Sequence, residues 1–597
     1  MKRGIICLVL TVIMLASVVL TSCTAKTTTT TVTTATSTTP TSTTSTGNWW
    51  NSLGTPQYGG TITLSLPSDL TGFDPIQGEF VNQVWTGWME QLYSPKWTED
   101  PSVQNYQIGF WDDSFAAGGL LQSWEFTDPS TIVMHVLHGI TWQNIPPANG
   151  AAFTANDIVY HFDRMCGLGD GFTSIPAAWS SSVVWTYVKS VTATDDYTVV
   201  MNWSVSNPEY ILENLEAPGA STSIESPAAV KQWGDVTDWH HAIGTGPFML
   251  QDYISGTSVT LVKNPNYWGT DERYPQNKLP YVDSLVFLIL PDHSTQLAAL
   301  RSSKIDVLDN VSNTDVQSMQ TTNPAISAVL VPGAAAANTI DPRDDKAPFN
   351  NVQVREALQK SINLPELAKN YYNGIVSSDP STLTSNYLTG WGFPYSQWPQ
   401  DLKDQYTWDV TAAKQLLTNA GFPNGFNTDI VVSNDADLSL VQAIKSYFAT
   451  INVNMSIQTM DPPAFINYVN VNHSEDALAM RANGSLGLNY SPFIQFVRYQ
   501  PDNTADYMRI DDATFNAALP NAMAATTVAG VKQIVQNLNE YVAQQHFVIS
   551  LLVPPTYSFC QPWLKGFDAQ YGATWGYSGP QLLYFYDARF WIDPSQK

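Results

Sequence analysis

Strand-like and helix-like segments alternate along residues 285–553. Residues 285–290, 427–432, 453–459 and 548–553 have strand character. Residues 294–300, 351–361, 411–420, 437–450 and 528–545 repeat apolar side chains at helical spacing. A chain patterned this way is expected to form α/β domains with largely parallel sheets. Nearer the N-terminus the pattern changes. Residues 61–66 alternate polar and apolar, as a half-buried strand does. Residues 123–136 and 191–203 have strand character broken by turn residues at Asp128-Pro129-Ser130 and Asp195-Asp196. Thr154 is placed to cap a helix running through Ile158, Val159 and Phe162. At 597 residues the chain exceeds one ordinary core and is expected to divide into two or more domains. The sequence shows no internal repeat.

Before this body come two segments of different composition. Lys2 and Arg3 precede an apolar run over residues 5–20, and Leu20-Thr21-Ser22-Cys23 follows. Basic, apolar and small-residue regions in that order make a secretory signal peptide. The apolar run falls short of the roughly 20 residues of a bilayer-spanning helix, so cleavage is expected over a retained transmembrane anchor. Leu20-Thr21-Ser22-Cys23 resembles a bacterial lipobox, which implies that Cys23 is acylated and becomes the new N-terminus. Residues 24–46 then hold 15 Thr in 23 positions with no apolar period. Such a stretch cannot offset the entropy of ordering itself, so residues 24–55 are expected to be a solvated tether with a reach of about 30 Å. With Cys7 in the signal and Cys23 lipidated, Cys166 and Cys560 remain. A disulfide between them is open in an exported protein, and two buried thiols are the default.

Charge and motifs exclude several functions. The chain has 27 Lys+Arg against 52 Asp+Glu, a net charge of -25. That balance argues against nucleic-acid binding and against docking on anionic lipid, both of which need a basic face. The 20 Trp and 12% aromatic content suit either ligand stacking or simple core packing. There is no Gly-x-Ser-x-Gly elbow, Walker loop, His-Glu-x-x-His or Gly-x-Gly-x-x-Gly. His135 and His138 sit on opposite faces of a strand-like run, and His240-His241 precedes a Gly-rich turn. Neither pair makes a metal site by itself, and no cofactor and no catalytic residue are expected.

Seven blocks, in order, carry a family resemblance. Ile243-Gly244-Thr245-Gly246-Pro247-Phe248 is followed by Asn264-Pro265-Asn266-Tyr267-Trp268-Gly269. Leu121-Gln122-Ser123-Trp124-Glu125-Phe126 leads to His138-Gly139-Ile140-Thr141-Trp142, and Phe153-Thr154-Ala155-Asn156-Asp157 opens a helix. Lys304-Ile305-Asp306-Val307, then Pro348-Phe349 through Val354-Arg355-Glu356-Ala357-Leu358, and finally Ala413-Lys414-Gln415-Leu416-Leu417 before Ala420-Gly421-Phe422-Pro423 complete the series. Together they resemble the family 5 extracellular solute-binding proteins of peptide/nickel-class ABC importers, over roughly residues 59–590. The Gly-Thr-Gly-Pro turn is expected to need unusual backbone angles, and the two rings of Asn-Pro-Asn-Tyr-Trp to pin their turn to a core.

The resemblance implies an α/β, periplasmic-binding-protein-like fold (type II, cluster C) with two lobes around a cleft and an extra domain on lobe one. By the family's order, residues 1–23 are signal and lipobox and 24–55 the tether. Lobe one takes 56–92, 218–330 and 553–597, the extra domain 93–217, and lobe two 331–552. Chain crossings near 330 and 553 would act as hinges, the lobes closing on a small solute for delivery to ABC permease subunits. The resemblance further implies a monomer, exported and lipid-anchored on the outer face of the cytoplasmic membrane. The candidate ligand-binding residues are Glu79, Phe80 and Val81 after Phe73-Asp74-Pro75, Trp391 as an exposed ring, and Arg481, Asn489 and Tyr490. In peptide-binding members a lobe-two Asp pairs with the peptide's α-ammonium. Here Asn489-Tyr490-Ser491-Pro492 puts Asn at that position, and the family's nearby Trp is missing. A peptide is the first expectation, an oligosaccharide or metal chelate the alternative, and an enzyme or surface adhesin on the same fold the reading from another class.

Overall fold

Thr61–Leu66 forms a strand in which Ile62, Leu64 and Leu66 are buried and the residues between them face outward, as the alternation predicts. It lies parallel to Ser284–Ile289, with Thr61 opposite Ser284 and Leu66 opposite Ile289. Ser258–Lys263 and Phe248–Ile254 extend this sheet antiparallel. The computed structural model describes residues 48–70, 72–77, 84–104, 106, 113–177, 183–216, 222–331, 338–384, 390–434, 436–480, 509–554, 556–567 and 588–597. Residues Trp49–Lys597 form one compact unit.

A second sheet is wholly antiparallel, in the order Leu121–Asp128, Thr131–Val136, Thr198–Trp203, Val188–Asp195. Helix Ala155–Cys166 covers it. Asp157 accepts from the Thr154 backbone N–H at 2.7 Å, satisfying a donor at the helix start, and Gly167 ends the helix at φ 68. A three-stranded antiparallel sheet joins Val307–Val311, Thr556–Cys560 and Ser327–Val331. The last sheet runs Val453–Met460, Phe426–Ser433, Leu478–Met480, Thr339–Pro342, Ile549–Ser550. Its first three strands are parallel and the other two pair antiparallel. Helices Val352–Ser361, Val410–Asn419 and Leu438–Ala449 pack around it.

The α/β class holds, while the expectation of largely parallel sheets does not: most described ladders are antiparallel. The reason is connection length. Two residues join Leu121–Asp128 to Thr131–Val136, and two join Val188–Asp195 to Thr198–Trp203. Such links close a hairpin, whereas a parallel pair needs a crossover of a dozen residues or more.

Two large apolar cores and three smaller clusters result among the described residues. One contains Ile62, Trp88, Phe162, Trp203, Leu261 and Phe287, and continues into Phe515, Val531, Val535 and Leu538 of helices Ala513–Ala524 and Val528–Gln545. The other contains Ile340, Leu358, Ile430, Ile444, Val453 and Leu478. The chain passes between the three-stranded and five-stranded sheets twice, across 331–339 and 550–556. The passages are neighbours in both sheets: Val331 lies opposite Thr556, and Thr339 opposite Ser550. Among the described residues, no helix is long and apolar enough to cross a membrane. Cys166 and Cys560 are free and buried, the default reading of the cysteines.

Candidate functional site

Phe73-Asp74-Pro75 precedes the first candidate segment, and its aspartate is held by a buried charge network. Asp74 is 0% exposed. Its Oδ1 accepts from the Ile76 N–H at 3.0 Å, and its Oδ2 from the Val236 N–H at 3.2 Å. Arg164, from helix Ala155–Cys166, donates to both oxygens at 3.0 and 2.5 Å and reaches Glu225 at 3.1 Å. His161, one turn earlier, lies 2.6 Å from the other Glu225 oxygen. Burial raises the Glu225 carboxyl, but His161 and Arg164 outweigh it and hold the group at about 2. Four chain segments therefore meet on two carboxylates. The i, i+3 spacing of His161 and Arg164 was legible in the sequence, while their partners, 61 or more residues away, were not.

A comparable knot stands at the entry to strand Leu478–Met480. Arg343 donates to the carbonyls of His473 and Glu475 at 2.9 and 2.6 Å, and to both Asp345 oxygens at 2.7 Å. Burial pushes the Glu475 carboxyl up to about 7 despite Arg343 beside it.

The family-like motifs are scaffold. Gly244 and Gly246 do not have positive φ, which corrects the expectation of unusual backbone angles. Glycine is required for another reason: a Cβ at Gly244 would sit 1.7 Å from the Trp88 carbonyl oxygen. Tyr267 and Trp268 are pinned by a buried carboxyl as well as by packing, donating to Glu90 at 2.8 and 3.0 Å. Burial pushes Glu90 up to about 7. Arg355, in the Val352–Ser361 helix, donates to the carbonyls of Gln545 and His546 at the end of helix Val528–Gln545.

Glu79, Phe80, Val81, Arg481, Asn489 and Tyr490 lie outside the described residues. Trp391 is described, and the expectation of an exposed ring is corrected: it is 2% exposed, in the first core, with the Lys532 ammonium 4.9 Å over its face. The Gln536 amide donates to the Gly390 carbonyl, so helix Val528–Gln545 draws this turn inward. His240 stacks on Trp239 and bonds Asp238, and His241 stacks on Trp233, so the two imidazoles engage separate neighbours. His138 stacks on Tyr197.

Residues 116–504 match the family model of bacterial extracellular solute-binding proteins, family 5. The chain belongs to that family. Within it, the chain is 26% identical over 357 residues to the heme-binding protein A of Haemophilus influenzae, covering 57% of this chain and 61% of that one. It is 26% identical over 328 residues to the dipeptide-binding protein of Escherichia coli, covering 52% and 56%. The matched part thus spans about three fifths of these relatives' length. Among solved structures, the periplasmic binding protein DppA of Helicobacter pylori, in complex with the peptide STSA, aligns with a TM-score of 0.67 at 20% identity, covering 91% of this chain and 99% of that one. The likeness extends beyond the region matched by the family model and establishes the two-lobed α/β fold for nearly the whole body.

Proposed function

We propose that this family 5 protein is the capture subunit of an ABC importer, closing its two lobes on a peptide and presenting it to membrane permease subunits. The paired passages at 331–339 and 550–556 carry this reading. The ends of the two passages are paired, Val331 with Thr556 and Thr339 with Ser550, and two neighbouring connections between two sheets are where a hinge would bend. Lobe one is assigned to 56–92, 218–330 and 553–597, the extra domain to 93–217 and lobe two to 331–552. Ligand contacts are assigned to Glu79, Phe80 and Val81 from one side and Arg481, Asn489 and Tyr490 from the other. Closure is driven only by contacts that are better in the closed form, so binding and shape change are one event. The role is non-catalytic. Cys23 is the acylated anchor, residues 24–55 the tether, and the protein works as a monomer outside the cytoplasmic membrane. Replacing Cys23 by Ser should move it from the membrane to the soluble fraction.

The test is calorimetry with di- to nonapeptides, cello-oligosaccharides, hemin and nickel chelates, beside a hydrolysis assay on the same compounds. Saturable peptide binding without turnover is the expected result. Binding of hemin or a chelate alone would favour the second reading, a non-peptide solute, which the heme-binding relative supports. Asn489 allows a sharper test. A neutral hydrogen bond contributes about 1 kcal/mol and a charge-assisted one about 1.5–3. Asn489→Asp should therefore tighten binding of peptides with a free amino terminus by roughly two- to thirtyfold and leave N-acetylated peptides unchanged.

A further inference from the structure

Asp309 lies in strand Val307–Val311, which pairs antiparallel with Thr556–Cys560. Leu308 stands opposite Phe559 and Val311 opposite Tyr557, so Asp309 and Asn310 together face the single residue Ser558. Two residues against one make a β-bulge, a device that re-aims side chains. Its effect is visible in the packing. Leu308 and Val311 are three positions apart, which would put them on opposite faces of a regular strand, yet both pack in one cluster with Phe559. Asp309 is left beside Ser558, whose hydroxyl donates to its Oδ1 at 2.5 Å. Ser558 also stands opposite Val329, and two residues away Thr556 stands opposite Val331. Asp309 is therefore at the end of the three-stranded sheet from which both chain passages leave. Burial falls in that direction: Val307 and Cys560 are buried, whereas Asp309 and Thr556 are half-buried.

The surroundings of Asp309 lack a counter-charge. Asp74 and Glu225 share Arg164, Asp345 and Glu475 share Arg343, and Asp271 has Arg273. Among the described residues Asp309 forms no ion pair, and Ser558 is its one hydrogen-bond donor. Desolvation raises its carboxyl to about 6, so the group stays mostly ionised at neutral pH. An Asn would serve Ser558 as acceptor equally well and bring no charge to desolvate. A carboxylate crowded by protein, half open and without a cation fits a recess whose cation arrives with the solute. We propose that Asp309 is a ligand-contact residue of lobe one, pairing with an alkylammonium group of the captured solute while Ser558 fixes its orientation. The proposal rests on the importer reading above and deepens it. It supplies from lobe one a charge that Asn489, assigned to lobe two, does not bring.

The test uses the full chain and three pools of di- to nonapeptides: unmodified, N-acetylated, and N-acetylated without Lys, Arg or His. The third pool has no ammonium group and is the control. Asp309→Asn keeps the side-chain shape and an acceptor for Ser558. Its apparent affinity by calorimetry should fall roughly two- to thirtyfold for the ammonium-bearing pools, with the control and the far-ultraviolet circular dichroism unchanged. A loss confined to the unmodified pool identifies the α-amino group as the partner, and a loss that persists after acetylation identifies a basic side chain. Equal affinities of parent and variant, or the same loss for all three pools, overturn the assignment. If the parent chain binds no pool, the peptide reading falls instead, and n-butylammonium alone decides the site. In infrared difference spectra near pH 6, the protonated-carboxyl band that Asp309→Asn removes should then give way to carboxylate as the amine is added. A band that does not respond overturns the site.

Discussion

Glu90 is a carboxyl that burial keeps protonated up to about pH 7. Its folded value of about 7 lies above the ordinary 4.5, so the native state keeps a proton that the unfolded chain has lost. Its contribution to stability is complete below about pH 4.5 and is lost as pH rises through about 7. Replacing Glu90 by Gln should flatten the fall in unfolding free energy between pH 4.5 and 8, measured by urea denaturation. His546 acts in the opposite sense. Burial, then the charge of Arg355, drives it down to about 3. Its neutral form is stabilising above about pH 6.5, and that contribution is lost as pH falls toward 3. Arg164 is the counter-charge for two buried carboxylates. Arg164→Met should cost about 3–5 kcal/mol in the same assay, because Asp74 and Glu225 would be left buried without it. A loss under 1 kcal/mol would mean that the network is not what holds these segments.

At the level of elements, the Gly-Thr-Gly-Pro segment and helix Val528–Gln545 show what the motifs are for. Gly244 lets the turn touch the Trp88 carbonyl. Gly244→Ala should destabilise by about 3 kcal/mol or more through overpacking against rigid backbone. Gly72→Ala, where an added Cβ meets nothing within 4 Å, should stay within about 0.5 kcal/mol. Equal effects of the two on the thermal midpoint would remove the close-approach explanation. Helix Val528–Gln545 begins where the sequence places it, with the Thr527 hydroxyl accepting from the Gly530 N–H at 3.1 Å. Its end depends on Arg355, 190 residues away, which no local pattern announces. Trp391 is the same lesson in reverse. The sequence alone makes Trp391 an exposed-ring candidate, and helix Val528–Gln545 turns that ring into core.

For the whole molecule, the aromatic excess finds its use. Trp88, Trp142, Trp185, Trp203, Trp391, Trp398, Trp563 and Trp591 are all buried. The first core holds seven of these rings and a small cluster with Leu402 and Tyr406 holds Trp398, so packing absorbs rings that composition alone left open between ligand stacking and packing. The same burial protects the thiols: it pushes Cys166 up to about 12 and Cys560 also upward. Mass mapping after iodoacetamide at pH 8 should therefore find both unmodified in the native chain and both alkylated in urea. Labelling of either under native conditions would contradict the packing around it.

Local order was legible because its causes are local. Thr61–Leu66 follows from a period of two, Ala155–Cys166 from a cap and a period near 3.6, and Val528–Gln545 from the same period with Thr527 before it. The ordered series of turns and caps was likewise enough to mark the family. Tertiary structure decided the rest: why Gly244 must be glycine, that Trp391 is buried, and that Asn207 meets Ala522. Those outcomes depend on residues from tens to more than three hundred positions apart being brought within contact distance, and periodicity along the chain carries no information about such encounters.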